Sequence, residues 1–324
     1  MPGKIELIQL IQMKHALKKV VYVVASIFLI IEFSGCVQGI DRAINDDKIG
    51  VVVSIPPQAE FVEKVGGDKV TVTVMVPPGA NPHTYEPAPV QLEEVSKAEI
   101  YAKVGSGIEF ELAWMDKIIK INEKMLVVDC SRGVKLIAIS YESGEPVAYN
   151  EYDENDKDRS NFKGIDPHIW LSPSNAKIMA ENIYEGLVQI DPENQKYYER
   201  NLGSYLEELD RLDEEIARIF LEKENKVIMV FHPTWTYFAL DYGIKQMPIE
   251  EEGKEPTAEG IKNLIDKARK YDIKVIFASP EFSTKSAEAV AREIGGSVVL
   301  ISSLKKNYVE NIREAEKAFA GAME

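Results

Sequence analysis

The sequence predicts an α/β protein of two lobes, each a parallel sheet flanked by helices, joined by one long rigid helix. Three observations carry that expectation. Apolar, β-branched runs alternate with helical patterns from Lys48 to Asp129, the same alternation returns from Val227 to Ile301, and a long helical pattern lies between them. Strand, helix, strand in succession implies parallel pairing, because a parallel crossover needs the helix. The expected boundaries are residues 48–190 for the first lobe, 193–224 for the linking helix and 226–324 for the second lobe.

In chain order, Lys48 to Ile55 is a continuous apolar run stopped by Pro56-Pro57, the mark of a strand buried on both faces. Gln58 to Val65 is helical in pattern and closed by Gly66-Gly67. Val70 to Val76 is β-branched and stopped by Pro77-Pro78-Gly79. Helices are then expected at Pro89 to Lys97 and Phe110 to Ile119, and strands at Ile100 to Val104 and Leu126 to Asp129. The linker, Glu193 to Glu224, carries Tyr198, Leu202, Tyr205, Leu209, Leu212, Ile216 and Ile219 at spacings of three and four. At 1.5 Å per residue it reaches roughly 45–50 Å, long enough to run along both lobes. The second lobe is expected to hold strands at Val227 to Phe231, Val275 to Ala278 and Ser297 to Ile301, and helices at Ala258 to Lys270 and Ser286 to Ile294.

The amino end reads as an address. Met13 opens a basic stretch, Val20 to Ile31 is apolar, and Phe33-Ser34-Gly35-Cys36 closes it with small residues. That apolar stretch is too short for a membrane span, which needs roughly 20 residues. The Ser34-Gly35-Cys36 ending resembles a lipoprotein signal, so residues 1–36 are expected to be a leader with Cys36 lipidated and the protein held at the outer face of the membrane. Cys130 is then the one thiol left for the folded part, which excludes an intrachain disulfide and a cysteine-rich zinc knuckle.

A net charge of −15 argues against nucleic acid, whose phosphates require a Lys/Arg-rich face, and favours a cation. Tyr141 to Lys163 is polar and acidic and is expected to be a surface loop.

Of four histidines, His15 falls in the leader and the other three share a placement. His83 lies in the loop after a strand, His232 directly follows the strand Val227 to Phe231, and His168 sits in Asp166-Pro167-His168, just before a helix capped near Ser172 and Ser174. Open α/β sheets bind ligands outside the carboxyl ends of their strands. Three imidazoles converging there, two from one lobe and one from the other, make a divalent-metal site. Imidazole suits zinc, copper, nickel and iron(II), whereas manganese sites lean on oxygen, so zinc comes first with manganese and iron(II) behind it. A carboxylate or a water would complete a tetrahedron. Asp166 and Glu86 are near enough in sequence to orient the imidazoles, and Trp170 and Trp235 are expected to pack in the core.

The chain resembles the solute-binding proteins of zinc and manganese ABC importers across residues 48–324. Val76 to Pro87, Gly105 to Glu109, Asp166 to Pro173 and Phe231 to Gly243 carry the likeness. The resemblance implies capture of a metal outside the cytoplasm, delivery to a membrane permease, and ligation by the histidines matching His83, His168 and His232, the last favouring zinc. It also implies an aspartate after the last strand, but Ser302 stands there, so Glu281, which follows the strand Val275 to Ala278, becomes the candidate fourth ligand. A monomer that is not an enzyme is expected. Two alternatives stay open: a zinc-dependent hydrolase using the same three histidines, although His-Glu-x-x-His and Gly-x-Ser-x-Gly are absent, and a metal-linked surface adhesin.

Overall fold

The computed structural model describes residues 48–139, 146–148, 164–250 and 256–323. The expected leader with Cys36, and the acidic segment 141–163 apart from residues 146–148, lie outside the described residues.

Two four-stranded parallel sheets organise the chain from Lys48 onward. In the first, β1 (Ile49–Val53), β2 (Val70–Val74), β3 (Ile100–Lys103) and β4 (Leu126–Asp129) lie in the order β2-β1-β3-β4. Val51 stands opposite both Val72 and Ile100, and β1 is apolar throughout because helices cover both of its faces. The connecting helices are α1 (Pro56–Gly66), α2 (Pro89–Lys97), α3 (Glu109–Ile121) and α4 (Pro173–Ile190). Proline opens α1, α2 and α4, where its missing N–H costs nothing.

One departure lies inside the expected acidic loop. Pro146–Ala148 (β6) pairs antiparallel with Ile137–Ile139 (β5), so part of that segment is strand. Ala138 also bridges to Ile165, which delivers the chain to Asp166.

The linking helix, α5, runs from Gln195 to Leu221. Its buried stripe is the expected one except at the end, where Phe220 takes the core position and Ile219 is only partly buried. The stripe's last step is four residues from Ile216 rather than three, as a 3.6-residue period allows.

In the second sheet β7 (Val227–Val230), β8 (Lys245–Pro248), β9 (Val275–Ala278) and β10 (Ser297–Leu300) lie in the order β10-β9-β7-β8. It is flanked by α6 (Thr236–Asp241), α7 (Ala258–Lys270), α8 (Lys285–Ile294) and α9 (Tyr308–Gly321). α6, β8 and α9 have no counterpart among the expected elements. β8 is an edge strand that buries little beyond Met247 and ends on Pro248, so it lacks the apolar run that marks β7 and β9.

Strand alternation splits the core. Ile228, Val230 and Phe277 face a core shared with the first sheet, α5, α6 and α9, whereas Met229, Ile276 and Ala278 face a smaller one under α7 and α8. In each sheet the chain leaves its first strand for a neighbour on one side and then crosses to the other side, so the loops diverge after β1 and β3 and again after β7 and β9. Such switch points open a crevice at the carboxyl ends.

Candidate metal centre

The loop after β2 carries His83. Gly79, at φ 81°, turns the chain after Pro77-Pro78 without the backbone strain an L side chain would bring at that angle. Asn81 Oδ1 then accepts from the His83 backbone N–H at 2.9 Å. From α2, Gln91 donates to the Val74 and Met75 carbonyls and accepts from Tyr85, so the loop is tied to the strand it leaves.

His168 follows Asp166-Pro167, and Asp166 Oδ1 accepts from the His168 backbone N–H at 2.8 Å. A single helical turn, Ile169–Leu171, leads to α4, whose cap is Ser172, accepting from Asn175 N. Ser174 is no cap; its hydroxyl reaches Asp213 instead. His232 ends β7. Pairing with the β8 strand continues past the ends of both, since Glu250 N donates to the Phe231 carbonyl at 3.0 Å, and this sets the Glu250 side chain against His232.

The structure brings these three histidines together. One ring nitrogen from each lies within 4.8 Å of the others, and the ring of His232 is 5.2 Å from that of His83 and 5.4 Å from that of His168. Each Nδ1 meets a carboxylate: Glu109 at 2.9 Å for His83, Asp166 at 2.7 Å for His168 and Glu250 at 2.7 Å for His232. An ionised carboxylate only accepts, so each Nδ1 carries the proton and each Nε2 presents its lone pair. The Nε2 atoms of His83 and His232 are buried with no hydrogen-bond partner among the described residues. A buried polar atom left so costs about 1–3 kcal/mol. A cation shared among the three nitrogens removes that cost, and tetrahedral zinc, with Zn–N of about 2.0–2.1 Å, fits so close a cluster.

Electrostatics suit a dication. Burial works to raise the Glu109 carboxyl's pKa, but its interactions with His83, the hydrogen bond foremost, outweigh it and hold the group below the usual carboxylate range. Burial pushes His232 below the ordinary imidazole value, with Glu250 opposing, so this ring stays neutral at physiological pH. Exposure is uneven: the His83 side chain is 24% accessible, against 9% for His168 and 13% for His232, which makes His83 the outermost of the three.

Glu281 is placed differently. Its carboxylate accepts from Ser302 Oγ at 2.5 Å and from Ser279, and it is not one of the groups within 4.8 Å of the cluster. Its neighbour Phe282 does reach the site, packing 4.7 Å from the His232 ring and 5.5 Å from that of His83. Trp170 sets its ring edge against His168 and donates to the Ser303 carbonyl, while Trp235 packs on Phe238 and Phe319. The carboxylate on His83 is Glu109 and not the exposed Glu86. Sequence reasoning also missed Glu250, for which β8 supplied no signal; Glu109 stood inside a stretch noted for resemblance alone.

The chain is similar to known proteins along most of its length. The family model for ZnuA, the periplasmic component A of the zinc-uptake complex, matches residues 51–322. The high-affinity zinc uptake system protein ZnuA of Bacillus subtilis (strain 168) is 29% identical over 289 residues, 88% of each chain. The manganese ABC transporter substrate-binding lipoprotein PsaA of Streptococcus anginosus is 30% identical over 272 residues, 82% of each chain. Among solved structures, a crystal structure of ZnuA aligns with a TM-score of 0.78 at 39% identity, covering 86% of this chain and 100% of that one. A zinc-bound deletion mutant of ZnuA gives 0.76 at the same 39% identity, covering 86% of this chain and 98% of that one.

Proposed function

Because the chain belongs to the ZnuA family of metal-binding components of zinc/manganese ABC importers, we propose that it captures zinc outside the cytoplasm and hands it to a permease. The family consists of solute-binding proteins and not enzymes, which removes the hydrolase alternative. One observation carries the choice of metal: the donors gathered within 4.8 Å are three imidazoles and no carboxylate among the described residues. Nitrogen donors favour zinc over the oxygen-seeking manganese, and three carboxylates behind neutral imidazoles more than offset the charge of a +2 ion. His83, His168 and His232 are the proposed ligands. Capture proceeds by ligand replacement, each Nε2 displacing one water from the hydrated ion while its Nδ1–H stays on its carboxylate.

The fourth position is assigned to Glu281, which follows β9 and whose neighbour Phe282 already packs on two of the rings. To take it, the carboxylate must exchange the Ser279 and Ser302 hydroxyls for the ion. Residues 48–190 and 226–324 are the two lobes in this reading and 193–224 the helix between them. Lipidation at Cys36 is the proposed tether to the outer face of the cell membrane, and the protein works as a monomer in this reading.

The test is metal analysis with equilibrium competition among zinc, manganese and iron(II), on wild type and Glu281→Ala. One zinc per chain, resisting equal manganese and iron(II), is the expected result, with roughly tenfold or greater weakening in Glu281→Ala. Manganese preferred at neutral pH would overturn the zinc assignment, and unchanged affinity in Glu281→Ala would give the fourth position to water.

Protons compete for the same Nε2 atoms, which sets the pH dependence. Zinc affinity is expected to hold from pH 8 to 7 and to fall steeply below about 6.5, the free imidazole value. Burial lowers the His232 pKa, so this ligand resists protonation below the free imidazole value. Titration at buffered free zinc reads the profile, and a flat line from pH 7.5 to 5 would rule out histidine ligation.

A further inference from the structure

His168 and His232 arrive from different sheets, so their separation depends on what ties one unit to the other. Beside the shared core and the Trp170 bond to the Ser303 carbonyl, one tie that reaches the His168 segment directly is a phenol. Tyr237 lies on α6, five residues beyond His232. Its side chain is almost fully enclosed, at 3% exposure, and its hydroxyl accepts from Ile137 N at 3.1 Å while donating to the Asp166 carbonyl at 2.9 Å. The same two residues also pair directly, Asp166 N donating to the Ile137 carbonyl at 2.9 Å. The hydroxyl therefore sits as an insert in a backbone bridge, and it completes that bridge at the residue whose carboxylate holds His168 Nδ1 at 2.7 Å. Ser106 fastens the next residue from the first sheet's side, donating to the Pro167 carbonyl at 2.5 Å.

We propose that Tyr237 is a positioning residue for metal capture: its hydroxyl locks the Asp166–His168 segment to the β7–α6 unit that carries His232, and so holds the two imidazoles at their spacing before the ion arrives. The proposal rests on the three-histidine reading above. The chemistry is specific to the oxygen. A phenylalanine ring fills the same space but leaves Ile137 N and the Asp166 carbonyl buried and unpaired, and the bridge then relaxes where the His168 segment begins. A residue that merely stabilised the fold would lower the melting temperature without altering the geometry around the ion.

The experiment compares Tyr237→Phe with wild type in the full chain, using zinc competition and the visible absorption of bound cobalt(II), whose bands report ligand geometry. Tyr198→Phe is the control, since it loses one hydroxyl bond, to Asp191 at 2.6 Å, away from the three histidines. Tyr237→Phe is expected to lose about 10–100-fold in affinity, the range for groups that orient metal ligands, with altered cobalt bands. Tyr198→Phe should melt earlier and keep both. Wild-type affinity and bands in Tyr237→Phe would overturn the proposal. If that variant does not fold, 4-aminophenylalanine at position 237 keeps the ring and a donor toward the Asp166 carbonyl; wild-type bands are then expected, and displaced bands in the folded protein overturn it. His168→Ala separates the two levels. Binding undiminished there refutes the three-histidine site, whereas binding lost there and unchanged in Tyr237→Phe refutes the positioning role alone.

Discussion

Replacing His232 with alanine is expected to weaken zinc binding on the order of a hundred- to a thousandfold. Structural zinc sites bind with about 10–16 kcal/mol, which shared over four ligands leaves about 2.5–4 kcal/mol for each, and every 1.4 kcal/mol is tenfold. His232 is the informative choice because it alone of the three comes from the second sheet, so its loss asks whether the site spans both sheets. Removing it also strands the Glu250 carboxylate, which is 12% accessible and hydrogen-bonded to the ring. Affinity must therefore be read beside a melting curve, and His232→Gln, which keeps a polar group opposite Glu250, should lose affinity comparably while melting closer to wild type. Binding within threefold of wild type in both variants would place the ion elsewhere.

Zinc itself should stabilise this fold by a readily measured amount. A ligand at a thousandfold its dissociation constant adds about 4.1 kcal/mol when it binds only the folded state. At about 2–4 °C per kcal/mol for domains of 150–250 residues, and less for longer chains, the midpoint is expected to rise by about 8 °C. The physical source is the pair of Nε2 atoms of His83 and His232, buried without partners among the described residues, that zinc satisfies. Differential scanning calorimetry with and without a chelator measures it. A shift that vanishes in His232→Ala belongs to this site; a shift that persists there, or none in wild type, counts against it.

The alternation of short apolar runs with helical stretches was enough to define most elements of the fold. β4, β9, α2 and α7 fall at their expected residues because turn-formers, charge or proline bound them tightly. β8, α6 and α9 escaped notice: an edge strand of Lys, Gln, Met and Pro has no apolar signature, and a six-residue helix has too few turns for a period. The strand inside the acidic segment escaped for the same reason, being three residues long and paired only through its neighbour β5.

The three histidines were legible because their sequence neighbours, strand ends, prolines and a helix cap, declare loops at carboxyl ends. Asp166 was legible as the partner of His168 because it stands two residues away. Glu109, Glu250, Phe282 and Tyr237 were not, since each earns its role through a partner distant in the chain. Local sequence determined which segments are strands and helices and which loops carry imidazoles, because dihedral preference and periodicity act over a few residues. The tertiary structure alone decided that one ring nitrogen from each of three histidines converges, that each Nδ1 finds a carboxylate and that Ser302 holds Glu281, because strand register and the packing of two sheets through a shared core set those distances.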